Sequence, residues 1–350
     1  MITERSLQPY LMPAEWSKHR ATWIAWPHLD SDFPGKIEPV RWAFCELIRH
    51  LSQQEKVEVL CATEALKSDL LNRLERSGIT HNVNAHLCPY ERTWLRDSAP
   101  SLIKAGTNKR WVKWNFNAWA LYDNFGPDKN IPDFIAKASK FELESALRED
   151  NKAALVLEGG AFDVDGEGSI LVTEQCLLSK VQERNPGLSK IDYENAFAHY
   201  LGATNTIWLS GGCEGDDTHG HIDDIARFVA PGKIVVASAQ ESDHEQYQSS
   251  LENIDRLKSA KDAKGNSLEI IELPYPSPIY CDGVRLPASY LNFYMSNKLT
   301  LVPTFNDEMD RLALGLLSEL MPDRKVIGIN CVDWVLGYGS LHCSTQQEPL

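Results

Sequence analysis

Apolar positions along the chain switch repeatedly between the alternation of strands and the three-and-four spacing of helices. Val57-Glu58-Val59-Leu60-Cys61 reads as a strand, and Glu64 to Arg76 as an amphipathic helix that stops at Gly78. Further strands are expected at Trp111 to Trp119, Ala153 to Leu157, Thr206 to Leu209, Leu268 to Leu273 and Lys325 to Asn330. Three hairpins are visible, with turns at Asp165 to Gly168, Ala230 to Lys233 and Ser296 to Lys298, each carrying Gly, Pro or Asn chemistry suited to a reversal. Helices are expected at Ile131 to Glu149, Asp192 to Leu201, Glu241 to Lys258 and Asp307 to Leu320. In the last, Met309, Leu312, Ala313, Leu316, Leu317 and Leu320 form a core-facing stripe. Hairpin, helix and strand recur in that order, and no Gly-, Ser- or Pro-rich linker divides the chain. The pattern predicts a single α+β domain over 1–350, built from repeated units.

Composition narrows the class. With 43% hydrophobic and 24% charged residues the chain is of ordinary globular type. No apolar run approaches the ~20 residues of a membrane helix, and the N-terminus lacks a signal-peptide core, so a cytoplasmic location without membrane partners is expected. Eight cysteines without a CxxC pair argue against a disulfide framework or a structural zinc site of that type. A formal net charge of -14 disfavours nucleic acid as a partner and suits a cationic ligand.

Chemistry concentrates in four places. Glu91 to Pro100 carries Asp97 beside Arg96, and Leu157-Glu158-Gly159-Gly160 places a carboxylate next to two glycines. A buried Glu158 needs a cation or a hydrogen-bond partner. Asp216 to Asp224 is the densest titratable cluster, and it allows two readings. His219, His221 and Asp223 resemble the HxHxD element of binuclear metallohydrolases, but few histidines follow to complete such a site. Alternatively His221 and Asp223 project from one strand face at period two, the imidazole for proton transfer and the carboxylate for a cation. Finally, Cys343 sits among polar, turn-prone residues after Gly337-Tyr338-Gly339, as a buried core thiol or a nucleophile. A thiol, an imidazole and several carboxylates suit a substrate that carries its own positive charge. A planar guanidinium fits, because carboxylates bind it bidentately.

Five ordered motifs then stand out: Met12 to Trp16 with Thr22 to Pro27, Glu91 to Pro100, Glu158-Gly159-Gly160, Gly220 to Asp223, and His342-Cys343 through Pro349. The chain resembles, nearly end to end, the agmatine deiminases and the bacterial peptidylarginine-deiminase-like proteins of the guanidine-modifying superfamily. The resemblance implies a five-bladed α/β propeller of ββαβ repeats, the pentein fold. It implies Cys343 as nucleophile, His221 as acid/base, Asp97 and Asp223 as guanidinium clamp, Glu158 as a further carboxylate and Trp94 as a pocket wall. Asp217 is expected among the substrate-binding residues. The implied activity is hydrolysis of agmatine to N-carbamoylputrescine and ammonia through a Cys343 thiouronium, in polyamine biosynthesis, with no metal or other cofactor. The alternatives are deimination of peptidyl or free arginine, amidino transfer, a metal-dependent hydrolase on His219, His221 and Asp223, and a silent binding module. A homo-oligomer is compatible with all of them.

Overall fold

The computed structural model describes residues 9–239 and 246–350. It is a mixed α+β structure in which five sheets share one order: an antiparallel pair, then a strand parallel to the second. Parallel neighbours cannot be joined by a tight turn, and in each sheet a helix makes the crossover. The first unit runs Ser101–Ala105, Asn108–Lys113, helix Ile131–Ser139 and Glu142–Ser145. The second runs Phe162–Val164, Ser169–Thr173, helix Lys190–Leu201 and Asn205–Leu209, and the third Ala226–Ala230, Lys233–Ser238, helix Tyr247–Ser259 and Glu269–Pro274. The fourth runs Tyr294–Met295, Leu299–Thr304, helix Asp310–Leu320 and Lys325–Asn330. The fifth joins distant parts of the chain. Thr345–Pro349 pairs antiparallel with His19–Ala25, and helices Ile37–Ser52 and Glu64–Arg76 lead to the parallel strands Lys56–Cys61 and Val83–Leu87. A separate hairpin, Ile279–Cys281 with Val284–Leu286, precedes the fourth unit. Among the described residues no helix is long and apolar enough to cross a membrane.

Local chemistry explains the element ends. Thr63 accepts from Leu66 N at 3.2 Å to start one helix, and Ser189 and Asp192 form a capping box at another, which ends at left-handed Gly202 (φ 69). Several expectations need correction. The run from Trp111 to Trp119 is a strand only to Lys113, because beyond it only Asn115 makes an isolated bridge, to Val156, and the chain turns left-handed at Ala118, Trp119 and Ala120. Ala153 to Leu157 makes isolated bridges rather than a strand. The helix expected to Glu149 stops at Ser139, with Lys140 left-handed (φ 63), since Glu142–Ser145 pairs in parallel with Arg110–Lys113. Ile222–Asp224 is a short 3-10 turn, so His221 and Asp223 do not share a strand face. The helix expected from Glu241 begins at Tyr247, and its expected residues 241–245 lie outside the described residues. In the last helix Ala313 and Leu317 are fully buried, whereas Leu312 is 50% exposed.

Candidate active site

Four of the expected site residues fall at one recurring position, within four residues ahead of the first strand of a unit. Asp97 precedes Ser101–Ala105, Glu158 precedes Phe162–Val164, Asp223 precedes Ala226–Ala230, and Cys343 precedes Thr345–Pro349. The fourth unit supplies Asn292, which the motifs did not reveal but this position could have. Trp94, Asp97, Trp119, Tyr122, Asp217 and Cys343 line a cavity of about 560 Å³.

Cys343 is held from both sides. Asn292 Nδ2 lies 3.1 Å from Sγ, and Asn292 Oδ1 accepts from Ser340 Oγ at 2.8 Å and from the backbone N–H of His342 and Cys343 at 3.0 and 3.3 Å. Sγ stands 3.6 Å from Asp223 Oδ2. Burial pushes the thiol well above its usual range, and Asp223, Asp224 and Asp97 push it further, against the Asn292 contact. Arg96 ties this segment to Asp97: its backbone N–H donates to Cys343 O at 3.0 Å, Nε to His342 O at 3.2 Å and a terminal nitrogen to Gln347 Oε1 at 2.6 Å.

Asp97 accepts the Gly160 N–H and the Trp119 indole N–H, both at 2.9 Å. Burial raises it to about 6, aided by Asp223 and Glu158 and opposed by His221 and the Gly160 amide. The glycine is required by close approach, because a Cβ on Gly160 would lie 2.5 Å from His221 Nδ1 and 3.0 Å from Asp97 Oδ1. His221 is buried between Asp97 Oδ1 at 3.8 Å and Glu158 Oε2 at 3.9 Å. Burial opposes its charge, but Asp97, Glu158 and Asp223 outweigh it and raise the imidazole to about 10. Asp216 shapes the approach to His221, accepting from the backbone N–H of Thr218, Gly220 and His221 at 2.8, 2.8 and 3.0 Å.

Glu158 has the cation its burial demands. Arg184 Nε sits at 3.0 Å, and against burial Arg184 and His221 bring the carboxyl down to about 2. Arg184 also donates to the carbonyls of Gln182 and Thr218. Asp223 Oδ2 accepts from His342 Nδ1 at 2.7 Å, while Oδ1 is buried without a partner. Asp217 accepts from Tyr122 OH at 2.6 Å, and burial raises it to about 7.

His219 does not join this cluster, and its Nε2 lies 3.0 Å from Ser179 Oγ. The set His219, His221 and Asp223 is therefore not assembled as cation ligands. Among the described residues the one group with ligand spacing is Glu158, Cys176 and His221, whose carboxylate already holds Arg184.

The sequence profile of the Porphyromonas-type peptidyl-arginine deiminases matches residues 11–349. A Selenomonas ruminantium protein provisionally named an agmatine deiminase is 36% identical, covering 97% of this chain and 96% of its own. The solved structure of an Enterococcus faecalis agmatine deiminase superposes with a TM-score of 0.87 at 30% identity, covering 97% of this chain and 96% of that one. At 14% identity and a TM-score of 0.51, an amidinotransferase from Microseira wollei, covering 97% of this chain and 96% of its own, shares the fold alone. Fold and site together define a guanidine-modifying enzyme that acts on C–N bonds. Within that class the chain belongs to the Porphyromonas-type peptidyl-arginine deiminase family.

Proposed function

We propose that the protein hydrolyses agmatine to N-carbamoylputrescine and ammonia, supplying a cytoplasmic polyamine pathway. One observation carries the reading: among the described residues, the cavity at Cys343 is lined by four aspartates, Asp32, Asp97, Asp217 and Asp282, and one arginine. That arginine, Arg92, is engaged by Asp32 at 3.2 Å and by Asn124, and stands 4.2 Å from the Tyr122 ring. A substrate with cations at both ends suits this lining better than one bearing a free carboxylate, which favours agmatine over free arginine. The E. faecalis agmatine deiminase structure supports the same choice.

In this reading Asp97 and Asp223 take the guanidinium and Asp217 the distal amine, with Trp94 as a wall. The Cys343 thiolate attacks the guanidino carbon. The C–N bond breaks as His221 gives its proton to the departing ammonia, leaving a thiouronium on sulfur. Water then attacks, with His221 taking its proton, and the C–S bond breaks to release the ureido product and free Cys343. The neutral thiol of the empty site ionises once a guanidinium adds positive charge beside sulfur. The five like-ordered sheets are, in the same proposal, the blades of a five-bladed propeller forming one domain over 1–350, with each blade lending at least one residue to the centre.

Ammonia release is measured from agmatine, free arginine and a peptide with internal arginine. Agmatine is expected to lead, Cys343→Ser to abolish turnover, and mass spectrometry of quenched enzyme to find the adduct on Cys343. Preference for the peptide overturns the substrate, and near-normal activity of the serine variant overturns the mechanism.

A further inference from the structure

Behind the thiol runs a line of buried polar groups, of which the reaction as written uses only Asp223. His342 stands between two carboxylates, with Nδ1 2.7 Å from Asp223 Oδ2 and Nε2 2.8 Å from Glu15 Oε2. A neutral imidazole donates from one nitrogen only, whereas the imidazolium donates from both and satisfies both acceptors. Glu15 is the anchor. It also accepts from Arg96 at 3.2 Å, Arg227 at 2.9 Å and Met295 N–H at 2.8 Å. Glu15, His342 and Asp223 are each at most 3% exposed, so none can exchange these partners for bulk water. The charges facing the line are Arg96 and Arg227 at Glu15, Asp163 at 3.4 Å from Arg227, and Asp224, His221 and the Cys343 thiol near Asp223.

We propose that His342 is a positioning residue: it pins Asp223 through Oδ2, leaves Oδ1 free to accept the substrate guanidinium, and keeps that carboxylate charged beside Cys343. The unpartnered Oδ1 is the second observation in favour. An orphaned buried carboxylate oxygen is costly, and a ligand that completes its bonding is one reason for a site to keep it. The arrangement reaches the substrate only through Asp223, so it rests on the function proposed above.

Two isosteric variants separate positioning from mere packing. His342→Asn keeps a donor near the Nδ1 place, toward Asp223. His342→Gln keeps one near Nε2, toward Glu15. With agmatine, His342→Gln is expected to lose at least tenfold in kcat/KM, largely in KM. Its acid limb moves to higher pH, because an Asp223 without the His342 hydrogen bond protonates more readily. His342→Asn keeps more of both. Equal losses in the two variants with an unmoved acid limb, or a His342→Gln within threefold of wild type, overturn the proposal. Melting midpoints of both proteins establish that folded enzyme is compared. If the wild-type enzyme releases no ammonia from agmatine, the functional reading fails by itself. The positioning is then read from iodoacetamide alkylation of Cys343, located by mass spectrometry. A rate in His342→Gln that departs at least threefold from wild type, with His342→Asn near it, supports the role, and equal rates in all three overturn it.

Discussion

Glu158 and Asp97 stand on either side of His221, at 3.9 and 3.8 Å, and the protein supplies a guanidinium to only one of them. Glu158 holds Arg184 and is drawn down to about 2. Asp97 holds an amide and an indole, both neutral donors, and burial leaves it at about 6. Burial alone therefore does not decide charge here, and the presence of a fixed cation does. One side of the site is complete. The other has no guanidinium of its own beside His221, and in the proposed reaction the substrate supplies one.

Removing the cation from the complete side should have the largest effect. Arg184→Gln leaves Glu158 buried without its partner, a change that costs about 3–5 kcal/mol. Denaturant unfolding should show that loss, and a change below about 1 kcal/mol would mean that Glu158 is not held by this pair. On the incomplete side, Asp97→Asn should lower kcat/KM for agmatine by about tenfold to a hundredfold or more, since an amide donor then faces guanidinium donors. Loss within threefold would remove Asp97 from the clamp.

The two carboxylates also predict opposite pH responses. Asp97 lies above its unfolded value of about 3.9, so its contribution to stability falls as pH rises from about 4 to about 6. Glu158 lies below its unfolded value of about 4.3, so its contribution is present above that pH and is lost as pH falls toward about 2. For activity, kcat/KM should drop as pH falls through about 6, where Asp97 loses its charge, and a profile flat from pH 7 to 5 would contradict this. The smallest effect concerns Asp217, raised to about 7. KM for agmatine should climb several-fold as pH falls through 7, and Asp217→Asn should raise KM at pH 8 while removing that dependence. An unchanged pH dependence of KM in the variant would place the distal amine elsewhere.

Much of this was legible in the chain, for local reasons. Turn residues announced three of the hairpins that open a unit, and Asp97, Glu158, His221 and Cys343 lie in short motifs whose neighbours are sequence neighbours. The need of a buried Glu158 for a cation was also legible, though not that Arg184 would meet it. Where partners are remote the reading failed. The hairpin of Ser101–Ala105 with Asn108–Lys113 went unseen because the aromatic run to Trp119 looks like one strand, while pairing ends it at Lys113. Its remainder turns left-handed and delivers the Trp119 indole to Asp97. Glu15 and His342 lie 327 positions apart, and no local pattern marks them as bonded. His221 and Asp223 were placed on one strand face, but a 3-10 turn sends one toward Asp97 and Glu158 and the other toward His342 and Cys343.

The pairing of His19–Ala25 with Thr345–Pro349 has a consequence for how the molecule is made. Trp23 Nε1 donates to Glu348 Oε2 across 325 positions, so the strand His19–Ala25 leaves the ribosome long before the partner that covers its edge. During that wait its outer edge is bare, with unpaired N–H and C=O groups open to other chains. Such long-range pairing closes slowly. The thiol arrives on the same late segment, two residues ahead of the strand that covers the edge. In the proposed reaction, a growing chain therefore gains its nucleophile and covers this strand edge in one event.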